Sequence, residues 1–193
     1  MSRPLNHLLL VAERRELAPF IRRLSSVIPQ RYFEGQFGER LVGVYVTGVG
    51  KNAIKRSANA IEKAGIQAET VWNVGNVGAL FPFPRGFILR VGRVVGKNGH
   101  ETKTIDPTSP FSLVTVNTLQ DKATLSSQYP FIDIVDMEAF HWLNVFPKCR
   151  IVKVVLDSNT DTLQAPVKGW GWSWRIRQNA KRLSRLMLTL VDL

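Results

Sequence analysis

Short runs of apolar residues alternate along the chain with stretches in which apolar residues recur every three or four positions. The runs predict buried strands, and the periodic stretches predict helices with one buried face. Predicted strands cover residues 7–12, 41–47, 70–74, 87–95, 113–117, 132–135 and 150–156, and predicted helices cover residues 13–26, 52–64, 118–128, 137–146 and 172–190. Residues 97–110 are polar and rich in turn-forming residues, which predicts a loop.

This alternation is typical of an α/β protein with three layers, in which helices cover both faces of a mostly parallel or mixed central sheet. A chain of 193 residues is long enough for one compact domain, and no linker or internal repeat divides it. We therefore expect a single domain over residues 1–193. Because ligands of such sheets bind beyond the carboxyl ends of the strands, the residues that follow the strands are the functional candidates.

The composition excludes several classes of protein. The single cysteine excludes an internal disulfide framework, and the three histidines have no metal-ligand spacing, so we expect neither a metal nor a cofactor. The first strongly apolar stretch, residues 8–12, is too short for a membrane span or a secretory signal, which predicts a cytoplasmic protein. The 26 lysines and arginines against 15 acidic residues give a net charge of +11, which attracts anions.

Two glycine-rich segments follow predicted strands. Gly48 and Gly50 lie between a strand and a helix, where the backbone can approach a ligand and the helix N-terminus offers unpaired N–H groups. A phosphate-binding P-loop is excluded, because Tyr45 stands where its first glycine is needed and Asn52 follows Lys51. Residues 75–78 predict a second turn. Each segment by itself is also compatible with a simple tight turn.

Carboxylates recur at the same kind of position. Glu13 and Glu16 follow the first predicted strand, Asp136 and Glu138 stand between a strand and a helix, and Asp157 follows an apolar strand. An acidic residue at the start of a helix is ordinarily a cap or a partner of the helix dipole. No single one of these carboxylates is therefore diagnostic.

Taken together, five short segments occur in an order that resembles the nucleoside phosphorylase and nucleosidase superfamily. They are VAERRE at 11–16, TGVGK at 47–51, NVGNVGAL at 73–80, VDMEA at 135–139 and VKVVLD at 152–157. Within the superfamily, the chain is most similar to the methylthioadenosine/S-adenosylhomocysteine nucleosidases. The segment TVNT at 115–118 is also similar to futalosine hydrolases. The family commonly has serine at the positions of Asn76 and Leu156.

The resemblance implies hydrolysis of the N-glycosidic bond of a purine nucleoside or thionucleoside without a cofactor. Asp157 would protonate N7 of the leaving purine, and Glu16 would orient the attacking water. The residues that would bind or border the substrate are Glu138 at the ribose hydroxyls, Met137 along the sugar, Lys153 near the water, and Gly48, Gly75 and Asn76. Bond cleavage builds positive charge on the sugar and negative charge on the base, and a general acid at the base typically contributes about 10²–10⁴-fold.

Two alternatives remain open for the chemistry. Many phosphorylases of the superfamily hold phosphate with an arginine just before the second glycine segment, and this chain has Asn73 there, as the nucleosidases do. Loss of that bidentate clamp favours water over phosphate. Arg14 and Arg15 could still bind phosphate, which keeps a phosphorylase open. A non-catalytic nucleotide or nucleic-acid binder with the same fold is the third possibility.

The predicted helix over residues 172–190 is basic and amphipathic, and it follows a tryptophan-rich segment. Its apolar residues share one face, which is typical of a helix that packs on the sheet with its basic side in solvent. The alternatives are binding of nucleic acid or adhesion to an anionic membrane surface. The family resemblance also implies a homo-oligomer.

Overall fold

The computed structural model describes residues 4–96, 99–118, 122–157 and 170–191, the last range with side chains from 173 to 190. The strands are β1 (Leu5–Val11), β2 (Ser25–Ile28), β3 (Tyr32–Phe37), β4 (Arg40–Val46), β5 (Ala68–Ala79), β6 (Ile88–Arg90), β7 (Arg93–Val95), β8 (Thr102–Thr104), β9 (Ser112–Thr115), β10 (Ile134–Asp136) and β11 (Arg150–Asp157). The helices are α1 (Ala18–Ile21), α2 (Lys51–Lys63), α3 (Lys122–Gln128), α4 (Ala139–Val145) and α5 (Trp170–Val191), and a 3-10 helix covers Arg14–Leu17.

The strands form one mixed sheet in the order β2-β3-β4-β1-β5-β10-β9-β7-β8, and β11 pairs with β5 and β6. The four central strands β4, β1, β5 and β11 are parallel, so their carboxyl ends meet at one edge. Helices α1 and α5 and the 3-10 helix contribute to the core on one face, and α4 packs on the other. The predicted α/β class with a mixed central sheet is confirmed.

The strand β5 differs from its prediction in a way that matters for the site. Residues 75–78 continue the strand rather than form a turn, and β5 runs to Ala79. Its pairing with β1 ends where Val11 lies opposite Val74, whereas its pairing with β11 continues to Gly78. Just beyond the end of β1, Gly75 and Gly78 therefore leave positions of β5 without side chains, and they do not reverse the chain.

Other elements also differ from the prediction. The predicted helix over 13–26 is only two short helical segments, and the polar residues after it form the antiparallel hairpin β2–β3. The predicted strand over 87–95 is divided into β6 and β7, and the predicted loop over 97–110 contains β8. These strands are only 3 or 4 residues long, apart from β3, and such lengths carry little periodic signal.

Helix α5 packs on the sheet as an amphipathic helix should. Its apolar residues Ile176, Ala180, Leu183 and Met187 are buried, and Leu183 and Met187 belong to the core that includes Leu17 and Val154. The expectation of a docking helix is confirmed. Within the part of the chain that the structure describes, no helix is long and apolar enough to cross a membrane.

Candidate functional site

Glu16 lies at the edge where the central parallel strands end. The 3-10 helix after β1 turns the chain back over β5, and the Glu16 side chain is buried there. Its Oε1 accepts hydrogen bonds from the backbone N–H and the Nδ2 of Asn76, at 2.8 and 2.9 Å, and its Oε2 accepts one from the backbone N–H of Glu13 at 3.0 Å. A Cβ on Gly75 would lie 3.0 Å from Oε1, so this approach requires a glycine.

Asn76 is held in turn by helix α5. The Nδ2 of the buried Asn179 donates hydrogen bonds to Asn76 Oδ1 at 2.9 Å and to the carbonyl of Val155 at 3.2 Å. The amide of Asn76 cannot flip without losing both this bond and its bond to Glu16. A chain of hydrogen bonds therefore runs from α5 through β5 to the Glu16 carboxylate.

Lys153 forms a buried ion pair with Asp136. Their Nζ and Oδ2 atoms are 2.9 Å apart. Asp136 also accepts hydrogen bonds from Thr115 Oγ1 at 2.8 Å and from the backbone N–H of Ala139 at 3.0 Å. Burial lowers the pKa of Lys153, but the charges of Asp136, Glu138 and Glu16 outweigh it, so that its pKa is raised. Asp136 thus binds the first backbone N–H of α4, and it also neutralises Lys153.

Glu138 lies beside this pair and faces the segment that contains Gly50. Its Oε1 accepts a hydrogen bond from the backbone N–H of Gly50 at 3.3 Å. Burial raises the pKa of Glu138 to about 7, and the neighbouring charge of Asp136 adds to the shift, while Lys153 opposes it. The Met137 Cε would lie 3.9 Å from a Cβ on Gly50, so Met137 borders the same segment.

The predicted residues around the sugar therefore form one cluster. The charge of Glu16 contributes to the pKa of both Glu138 and Lys153, which places the three groups within electrostatic reach. Gly75 lies directly opposite Lys153 in the sheet. Gly48 has a φ of +82° and packs against Ala53, where a Cβ would lie 3.1 Å from that of Ala53. In the Gly48–Gly50 segment it is Gly50, not Gly48, that donates to Glu138.

Asp157 lies at the carboxyl end of β11, apart from this cluster. A β-bulge between Val155 and Asp157 shifts the register of β11 against β5, so that Asp157 lies opposite Gly78. Such bulges redirect a side chain. The Nζ of Lys122 at the start of α3 lies 2.5 Å from Asp157 Oδ2 and donates to its carbonyl at 3.2 Å. The expected proton donor is therefore one half of an ion pair.

The two parts of the site lie along the same strand. Glu16 contacts β5 at Gly75, and Asp157 contacts it at Gly78. Three residues of a strand span roughly 10 Å. The carboxylate cluster and the ion pair therefore lie at nearby positions along the carboxyl end of β5.

Lys122 and Asn179 were not among the candidates from the sequence. Both lie on helices, where a lysine or an asparagine is ordinary, and only the fold shows that they reach the strand ends. The possible phosphate ligands Arg14 and Arg15 have other partners: Arg14 stacks on Phe33 at 5.0 Å, and Arg15 pairs with Glu13.

The comparisons by sequence found no relative: no known family model and no curated protein matches the chain. Solved structures do match it over their whole length. A mutant of the Helicobacter pylori methylthioadenosine nucleosidase with 5'-methylthioadenosine in its active site has a TM-score of 0.79 at 14% identity, over 98% of this chain and 99% of that one. For the S-adenosylhomocysteine nucleosidase of Streptococcus pyogenes, the TM-score is 0.77 at 17% identity, over 100% and 98%.

The futalosine hydrolase of Helicobacter pylori matches equally well, with a TM-score of 0.76 at 14% identity over 97% of each chain. At such identities the comparison establishes the arrangement of the elements and leaves the substrate open. The resemblance of the five sequence segments is thereby confirmed at the level of architecture. The chain has the fold of the methylthioadenosine/S-adenosylhomocysteine nucleosidases and of futalosine hydrolase.

Proposed function

We propose that this protein hydrolyses the N-glycosidic bond of a purine nucleoside or thionucleoside. The observation that carries the proposal is the convergence of Glu16 and Glu138 in one buried cluster, with the Asp157–Lys122 ion pair further along β5. Two carboxylates stabilise positive charge on a sugar, and an ion pair at the other end can serve the leaving base. The fold supports the same reading, because nucleosidases share it.

At the sugar, the carboxylates have separate tasks. Glu138 accepts hydrogen bonds from ribose hydroxyls, and Met137 packs along the ring. Glu16 holds the attacking water: three N–H donors fix its carboxylate, and its remaining lone pairs accept a hydrogen from the water. As the water oxygen bonds to the anomeric carbon, its proton passes to Glu16. The positive charge of Lys153 keeps this group of carboxylates stable before substrate binds.

At the base, the Asp157–Lys122 pair supplies the proton. The C–N bond breaks and its electron pair moves to the purine, which needs a proton at N7. Asp157, ionised in the pair, takes a proton from the Lys122 ammonium across the 2.5 Å contact between Nζ and Oδ2 and passes it to N7. Lys122 is then neutral and regains its proton from solvent after the base has left. General acid assistance of this kind typically contributes about 10²–10⁴-fold. The products are the free base and a ribose derivative.

Water is the nucleophile that the site favours over phosphate. Arg14 and Arg15 have partners on β3 and within their own segment. Asn73, at the position of the phosphorylase arginine, lies within the sheet and donates to the carbonyl of Leu10. A phosphate anion next to Glu16 and Glu138 would meet two carboxylates, and like charges at close range are unfavourable.

The proposal is tested by incubating the protein with methylthioadenosine, adenosine, inosine and futalosine, with and without phosphate. Free base should appear without phosphate, and the Glu16→Gln variant should release little of it. Strict dependence on phosphate would turn the proposal into a phosphorylase. Binding of a nucleoside without any release of base would leave a binder on the same fold. We further propose cytoplasmic purine salvage as the setting, which cell fractionation would test.

A further inference from the structure

A cavity lies on the other face of the sheet from the Lys153–Asp136 pair. Its volume is about 340 Å³, and it is enclosed by the first turns of α5, the end of β11 and the segment before β6. On β11, Val152 and Val154 face the core that α5 joins, whereas Val155 faces the α4 side. Leu156 lines this cavity and Lys153 does not. The cavity therefore lies on the α5 side of the sheet, and Asn179, which lines it, connects it through Asn76 to Glu16.

The wall of this cavity is strongly basic. Arg85, Arg175 and Arg182 line it, and no acidic residue is among the described residues of the wall. Helix α5 carries no aspartate or glutamate along its whole length. Three guanidinium groups around one cavity attract an anion, and their planar fork of N–H donors matches the oxygens of a phosphate.

Arg182 is held at the cavity by the segment before β6. Its Nη1 donates a hydrogen bond to the carbonyl of Arg85 at 3.3 Å. Its guanidinium lies against Gly86, where a Cβ would be only 1.4 Å from Nη1. Gly86 has a φ of +76°, a conformation that suits glycine. The glycine therefore provides the space in which this arginine is fixed at the rim.

The cavity also offers a flat apolar surface. Trp174 lines it and is 62% exposed, an unusual exposure for so large an aromatic side chain. Aromatic side chains next to arginines stack on nucleobases, and each stacked base contributes about 1–3 kcal/mol. A volume of about 340 Å³ is within the range of small-molecule sites and exceeds what one phosphate needs.

We propose that this cavity binds a nucleoside monophosphate, with the base stacked on Trp174 and the phosphate held by Arg175, Arg182 and Arg85. The packing of the apolar face of α5 does not explain its basic charge, whereas a bound nucleoside monophosphate would complement that charge. The site differs from the candidate hydrolase site in its charge, because the acidic cluster at Glu16 and Glu138 disfavours a phosphate. The two sites are neighbours: Asn179, which lines the cavity, is joined to Glu16 through Asn76.

The test measures binding of adenosine 5'-monophosphate by calorimetry. The double variant Arg175→Gln/Arg182→Gln should weaken binding at least tenfold. The matched double variant Arg177→Gln/Arg185→Gln removes the same charge from α5 outside the cavity wall, and it should change the affinity less than twofold. Equal losses in both variants would show diffuse attraction to a basic surface and overturn the proposal, as would undetectable binding to the unchanged protein at millimolar ligand.

Two further measurements keep the proposal testable if a variant folds poorly. In the unchanged protein, inorganic phosphate should compete with the nucleotide but bind at least tenfold more weakly; equal affinity would remove the base from the proposal. A single-stranded hexa-adenylate presents the same groups on a polymer. If it binds a hundredfold more tightly than the mononucleotide and both double variants weaken it, the ligand is nucleic acid and the proposal is overturned.

Discussion

Strand β11 takes part in two lysine–aspartate ion pairs that differ in burial and in their position along the strand. Lys153 and Asp136 are 2.9 Å apart, and their side chains are 2% and 1% exposed. Asp157 and Lys122 are 2.5 Å apart and 15% and 9% exposed. The first pair lies under the sheet edge with further hydrogen bonds to Asp136, and the second lies at the end of the strand, where a ligand can reach it.

The difference separates a structural role from a chemical one. In a buried ion pair each charge neutralises the other, and removal of one partner leaves an uncompensated charge. An ion pair at a strand end can replace one of its partners with a ligand at a lower free-energy cost. The resemblance assigned Lys153 a place near the water, whereas its direct partner is Asp136. Its influence on the substrate is through the charges of Glu138 and Glu16.

The largest effect on catalysis is expected at the Asp157–Lys122 pair. Asp157→Asn keeps the shape of the side chain but removes the carboxyl group that we propose passes the proton to the base. We expect kcat to fall about 10²–10⁴-fold, with little change in the melting temperature. Steady-state kinetics on the nucleoside that is turned over, together with thermal unfolding, provides the measurement. An unchanged kcat would remove Asp157 from the mechanism.

A substitution in the buried Lys153–Asp136 pair should reduce stability more than it reduces catalysis. Lys153→Met leaves Asp136 charged and unpaired in the interior, which typically costs about 3–5 kcal/mol of unfolding free energy. Chemical denaturation measures this loss. The double variant Lys153→Met/Asp136→Asn should regain much of it, because no isolated charge remains. If the single and double variants are equally unstable, the ion pair is not what Lys153 contributes.

The hydrogen-bond chain from α5 to Glu16 gives the third prediction. Asn179→Ala removes the donor that fixes the Asn76 amide, so Glu16 should lose orientation and kcat should fall about tenfold, while KM changes less than twofold. Ser184→Ala is the matched control, since Ser184 is a second buried polar residue on α5 and its Oγ has no hydrogen-bond partner. Equal effects on kcat in the two variants would reduce Asn179 to a packing residue.

The smallest effect is expected in the pH dependence. The pKa of Glu138 is raised from 4.5 to about 7, and only its ionised form accepts hydrogen bonds from both ribose hydroxyls. We therefore expect kcat/KM to rise severalfold between pH 6 and pH 8 as Glu138 loses its proton, since that range brackets its pKa. Kinetics across this range provides the measurement. A flat profile in the unchanged protein contradicts the assignment.

The titration of Glu138 also makes stability depend on pH, but the unfolding free energy falls as the pH rises, whereas kcat/KM rises. Between about pH 4.5 and pH 7 the unfolded chain releases the Glu138 proton while the folded chain keeps it, so the unfolding free energy falls as the pH rises through this window. Glu138→Gln should remove this slope. Denaturation at several pH values compares the two proteins, and an unchanged slope in the variant would assign the titration to another residue.

Much of the architecture followed from local pattern. The long elements β1, β4, α2, β11 and α5 coincide closely with their predictions, because each strand is a mostly apolar run and each helix has a sustained period of three to four residues. The hairpin β2–β3 and the short strand β8 were missed, and β6 and β7 were predicted as one strand, since their form depends on partners that are distant in sequence. The glycines at 75–78 were assigned to a turn because glycine commonly marks one, and pairing with β11 keeps them in a strand.

The sequence by itself determined the fold class and the carboxylates that follow the strands, because both depend on periodicity and on position along the chain. Only the tertiary structure decided their partners. Asp136 neutralises Lys153, Lys122 pairs with Asp157, and Asn179 reaches Glu16 through Asn76. Each of these contacts joins segments far apart in the chain, and burial and electrostatics act through distance in space, which no local pattern of residues records.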